Sequence, residues 1–166
     1  MTTFVIILLA TLIFGGQMLV IYHKKRKKVD MLLVEAGPTT NAKEDFTKKV
    51  PVIVGNMQMN PSYQYFKVVN DCMKMRHISS GDVIGVQPLN ENYTINDINQ
   101  GDILLIYLND ERFSGHKIRV MKDIVGDAFN TYYFVGDTKQ QSSEPHPFST
   151  IRGVVKEVYH PYKSVM

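Results

Sequence analysis

The sequence predicts a mainly β domain, a partly closed barrel or a set of coiled sheets, carried behind one N-terminal transmembrane helix. Three observations predict it. An uncharged apolar run occupies Thr3 to Tyr22. From Val50 onward, short β-branched and aromatic runs alternate with turn signals, and no long helical period follows the first run.

Thr3 to Tyr22 reads TFVIILLATLIFGGQMLVIY, 20 residues without a charge. At about 1.5 Å per residue this spans about 30 Å, the thickness of a hydrocarbon core. Only Gln17 is strongly polar, and Gly15-Gly16 is a pair that membrane helices tolerate. A cleaved signal peptide would want positive charge ahead of the run, a shorter core and a small-residue cleavage site, and none is present. Lys24, Lys25, Arg26, Lys27 and Lys28 follow directly. They predict a flank facing anionic headgroups, a lipid bilayer as partner, and a single-pass protein with its N-terminus outside and its C-terminal domain cytoplasmic, or inside a viral membrane. Three regions follow: an anchor with basic flank over 1–28, a stalk over 29–49, and a β domain over 50–166. Within the stalk, Met31 to Glu35 suits either a helical turn continuing the anchor or a strand.

The predicted strands are Val50 to Val54, Gln64 to Val69, Val83 to Val86, Ile103 to Leu108, Lys117 to Met121, Thr131 to Val135 and Ile151 to Tyr159. Gly81-Asp82 and Gly101-Asp102 stand immediately before two of them, and Gly136-Asp137 follows another. The net charge of +3 comes from the N-terminus. Without the first 28 residues, 14 Lys and Arg face 16 Asp and Glu, so basicity gives no argument for nucleic acid, and none is expected as partner. One cysteine, Cys72, excludes an internal disulfide.

Phe66 to Val86 reads FKVVNDCMKMRHISSGDVIGV. Here the chain resembles the LexA repressor and type I signal peptidase superfamily of serine–lysine peptidases. In that family a strand leads into Gly-Asp-Ser-Met, with an isoleucine six residues after the serine and a Gly-Asp turn nine and ten after it. At those spacings this sequence has Cys72-Met73, Ile78 and Gly81-Asp82; Asp71 matches the aspartate and Asn70 replaces the glycine. Gly101-Asp102 with ILLIYL resembles the second Gly-Asp strand. KIRV from Lys117 resembles the strand of the catalytic lysine, and STIRGVVKEV from Ser149 the closing strand. The resemblance covers Tyr65 to Tyr159.

It implies a serine nucleophile whose proton passes to a neutral, buried lysine. Cys72 stands at the serine position, as a nucleophile or as a small buried side chain. Aligning Arg119 with the family's arginine puts Ile118 at the lysine position. Lys117 then lies on the other face of the strand, and Lys122 roughly 13 Å further along it. The leading expectation is therefore a membrane-tethered, peptidase-like domain without catalysis, a binding or structural module with a protein partner, such as one tying a viral or phage membrane to a shell. The alternatives are a Cys72–Lys117 peptidase acting on itself or near a membrane, and a signal peptidase, which the placement of HKKRKK disfavours. His77 is a candidate base or an exposed loop histidine. His116, His146 and His160 lack metal-ligand spacing, and no metal or cofactor is expected. Glu144 to Phe148, EPHPF, is a candidate contact loop, and Ile151 to Tyr159 a candidate homodimer strand by analogy.

Overall fold

The computed structural model of the 166-residue chain describes residues 28–36, 46, 48–55, 57–110, 113–135, 139–142 and 145–161. In chain order the strands are β1 (Lys28–Glu35), β2 (Lys49–Ile53), β3 (Gln64–Val69), β4 (Val83–Pro88), β5 (Ile103–Asn109), β6 (Ser114–Val125), β7 (Ala128–Val135), β8 (Lys139–Ser142), β9 (His146–Pro147) and β10 (Ile151–Tyr159).

Following the pairings β1-β3-β4-β10-β5-β6 brings the sheet back to β1, so these strands form a closed barrel. β1 runs parallel to β3 along Leu32–Glu35 and parallel to β6 through two residue pairs, Val34 with His116 and Glu35 with Lys117. The first half of that same edge of β1 is taken by β2, antiparallel. β7 and β8 extend the sheet beyond β6, and β9 pairs with β7.

Strand alternation assigns the two faces. Val34, Phe66, Val68, Ile84, Val86, Leu105, Ile118 and Val120 form one buried cluster in the lumen, joined by Met73 and Ile78 from the β3–β4 connection. Each such burial contributes about 1.5–3 kcal/mol. On the outside, Leu104 and Ile106 of β5 pack with Phe129, Ile151 and Val154. β5 is therefore covered on both faces, which is why ILLIYL shows no alternation. Register breaks at Arg152 and Lys156 in β10 and at Lys122 in β6 bend the strands around the barrel.

The two Gly-Asp signals make one device twice. Gly81 and Gly101 take φ of 89° and 90°, open to glycine and strained for other residues. In each, the following aspartate accepts an N–H three residues back, Ser79 to Asp82 at 2.7 Å and Asn99 to Asp102 at 2.8 Å. Arg76 ties the two turns together by donating to the Gly101 carbonyl at 3.0 Å and the Tyr132 hydroxyl at 3.2 Å.

All seven predicted strands are present, and β1, β8 and β9 are additional. The helical half of the expectation is corrected. Among the described residues there is no α-helix, only three single-turn 3-10 segments, and no helix is long and apolar enough to cross a membrane. Thr3 to Tyr22 and Lys24, Lys25, Arg26 and Lys27 lie outside the described residues. The fifth basic residue, Lys28, opens β1 rather than flanking an anchor, and Val29 to Glu35 is barrel strand rather than stalk. The membrane-spanning fold, the membrane keywords and the single-pass localisation with a cytoplasmic domain thus have no helix among the described residues to rest on. The apolar run and the basic residues after it suggested them, and the strand that follows is a core element.

Candidate functional site

The β3–β4 connection carries Cys72. Asn70 leaves β3 with φ of 65°. This left-handed conformation suits glycine best, and asparagine is among the side chains that tolerate it. Asn70 Oδ1 accepts the Ala36 N–H at 3.2 Å, fastening the turn to the end of β1. Asp71 accepts from the Ser80 N–H at 2.8 Å and pairs with Lys74 at 3.0 Å, and both contacts hold its carboxyl below the ordinary range. Met73 and Ile78 bridge one another and turn inward into the lumen cluster, where Ile118 also lies.

Cys72 is half-buried, and its carbonyl accepts the Phe134 N–H at 3.2 Å. Burial pushes its thiol up; the Arg119 guanidinium opposes that, and the Glu35 and Asp71 carboxylates add to it. The net shift is upward, so the thiol keeps its proton at neutral pH, unlike an activated nucleophile. Alkylation of Cys72 by iodoacetamide, followed by mass spectrometry from pH 7 to 10, is therefore expected to rise at higher pH than that of free cysteine in the same buffer.

β6 pairs with β5 without interruption from Ser114 to Val120, so Ile118 faces the lumen while Lys117 and Arg119 share the opposite face. There Lys117 Nζ meets Glu35 Oε2 at 3.1 Å, with 3% and 1% of the two side chains exposed. The two residues are also direct partners across the β1–β6 seam. Nζ lies 4.1 Å from the centroid of Phe113, which packs with Phe46 and Leu33 over this face. Burial pulls the Lys117 amine below the ordinary lysine value, and Glu35 pulls it partly back. Arg119 donates to the Ile118 carbonyl at 2.9 Å and lies 4.6 Å from the Tyr133 ring centroid. Burial draws it down to about 10, against Glu35, Tyr133 and Cys72.

The structure therefore brings Cys72, Arg119 and Glu35 into mutual electrostatic range and commits Lys117 to Glu35. Lys122 falls at the β6 bulge and is half-buried. His77 is exposed and closes a 3-10 turn at φ of 58°. His116 is half-buried between the rings of Phe66 and Tyr107, each 5.1 Å away, and burial lowers its imidazole. His146 lies in β9 with its ring 5.8 Å from that of Phe129. His160 pairs with Asp82 at 2.9 Å. Within EPHPF, His146-Pro147 is a sheet strand and Phe148 stacks on Phe129 at 5.7 Å. β10 has a strand on each side, so a second copy would meet side chains such as the exposed Arg152 and Lys156, not a free backbone edge. Among the described residues no group of three or more His, Cys, Asp or Glu side chains could hold a metal ion.

Sequence reasoning missed Glu35 and the Asp82–His160 pair. Glu35 did leave a signal, a lone acid in the apolar stretch MLLVEA. Such a residue demands a buried partner. In comparison with known proteins, the chain matches no protein-family model and no curated protein.

Proposed function

We propose that this chain is a catalytically silent relative of the LexA and signal peptidase fold, serving as a binding or structural module. The Glu35–Lys117 pair carries the reading. A peptidase of this type needs a lysine amine free to accept the nucleophile's proton at about 3 Å or through one water. Here the amine nearest in sequence to the expected position is held by a carboxylate 3.1 Å away, inside the barrel seam. Ile118, at the expected position itself, is fully buried in the lumen and has no proton acceptor to offer. The protonated thiol of Cys72 supports the same reading.

One observation favours a working Cys–Lys pair instead, the depressed amine of Lys117. Incubating the full chain at pH 6 to 9 and reading intact mass decides between the two. The silent module is expected to stay whole and to match Cys72→Ala throughout. A fragment formed by the natural chain and missing from Cys72→Ala would establish the peptidase.

A further inference from the structure

The β1–β6 seam closes the barrel through two residue pairs, Val34 with His116 and Glu35 with Lys117. β1 pairs with β3 over four residues and with β2 over five, and β6 pairs with β5 over seven. The seam is thus the shortest closure in the barrel. It can part while β1 stays on β2 and β3, and while β6 stays on β5. We infer that this seam is an acid-sensitive joint, held shut by a neutral His116 and opened when that imidazole takes a proton.

His116 shares the lumen face of β6 with Ile118. Its ring sits between Phe66 of β3 and Tyr107 of β5, with centroids 5.1 Å from each and interplanar angles of 52° and 63°. Val34 stands opposite it on β1. Nδ1 is buried and has no hydrogen-bond partner among the described residues. An imidazolium donates from both nitrogens. A proton taken up here would therefore leave the Nδ1 hydrogen buried without an acceptor, a costly state.

The surrounding charges offer no relief. From β10 the Arg152 guanidinium, 5.6 Å from the Tyr107 centroid, acts on His116 as a like charge. The Tyr107 hydroxyl lies 3.4 Å from Ser114 Oγ and carries no charge at neutral pH. Glu35 and Lys117, the next pair along the seam, lie on the opposite face and compensate each other at 3.1 Å. Aromatic rings attract a cation weakly. Burial and Arg152 prevail over that attraction and hold the imidazole below its ordinary value. Parting Val34 from His116 is the least costly way to hydrate the charge, because so few pairs are lost.

The closed seam binds this proton less readily than the open one. Its stability is complete above about pH 6.5, the ordinary histidine value, and falls as pH drops below it. Local opening of this kind leaves the rest of a fold intact. The joint stands or falls separately from the proposed loss of catalysis.

The test is amide hydrogen exchange of the full chain by NMR, corrected for intrinsic rates, between pH 7.5 and 5. Protection at the seam residues Val34, Glu35, His116 and Lys117 is expected to fall below about pH 6.5, by at most about tenfold per pH unit, the limit for one proton. Protection at Ile84 and Val86, in the β4–β10 pairing, is expected to hold. His116→Phe keeps a ring between Phe66 and Tyr107 and cannot titrate, and it is expected to abolish the fall. Arg152→Gln, at an exposed position, removes the like charge and is expected to shrink the total loss. The proposal is overturned if the natural chain keeps its seam protection throughout, if Ile84 and Val86 lose protection in step with the seam, or if His116→Phe loses as much as the natural chain. The first two outcomes are read on the unaltered chain and do not depend on a variant folding.

Discussion

Replacing Lys117 with methionine is expected to cost about 3–5 kcal/mol of folding stability, because it leaves Glu35 buried and charged without its ammonium partner. Glu35 is 1% exposed and Lys117 2%, so neither can turn to water without opening the seam. The double replacement of Glu35 by leucine and Lys117 by methionine is expected to recover the larger part, since a well-packed apolar pair often equals a buried ion pair. The remainder reports Arg119, whose guanidinium also leans on Glu35. Urea unfolding of the natural chain and the two variants measures all of this. A single variant costing under about 1 kcal/mol would mean that the pair is solvated or replaced, contrary to the role assigned to it.

Gly153→Val is expected to be the most damaging change on the opposite wall. A Cβ there would stand 2.3 Å from the Gln87 carbonyl oxygen and 2.7 Å from Val86 Cγ1. The first neighbour is backbone and cannot rotate away, so β10 and β4 would have to separate where they pair at Gly153 and Pro88. Overpacking of this kind costs typically 1–3 kcal/mol, and valine is expected at about 3 kcal/mol. Gly153→Ala should fall between the natural chain and valine in the same unfolding measurement. Alanine with natural stability would show that the two strands part freely.

Much of the barrel was legible because its punctuation is chemical. Gly81-Asp82 and Gly101-Asp102 announce turns whose aspartates cap the chain in the same way, and each opens a strand. Asn70 stands where the chain turns out of β3, and its φ of 65° is a conformation that asparagine tolerates. β1 was not legible. It follows a basic run, and its last residues are buried on both faces, so alternation is lost. β8 and β9 are short, and β8, KQQS, is wholly polar, so neither gives an apolar pattern to read. The site failed for a different reason. Lys117 was read as a displaced catalytic lysine and Glu35 as part of a stalk, and their pairing depends on a parallel register across the seam. No local pattern encodes that register.

The seam also constrains the order in which the chain can assemble. β5, β6 and β7 are joined by short connections and can pair as soon as they are made, whereas β1 must be flanked in parallel by β3 on one side and β6 on the other. Those partners lie far along the sequence, and their loop-closure entropy is spent before the contacts return anything. The β1–β6 seam joins strands from the two ends of that stretch of chain, and the ion pair forms only where it closes. Closing either strand on a different partner would bury one of these charges without the other, a cost that favours the finished register.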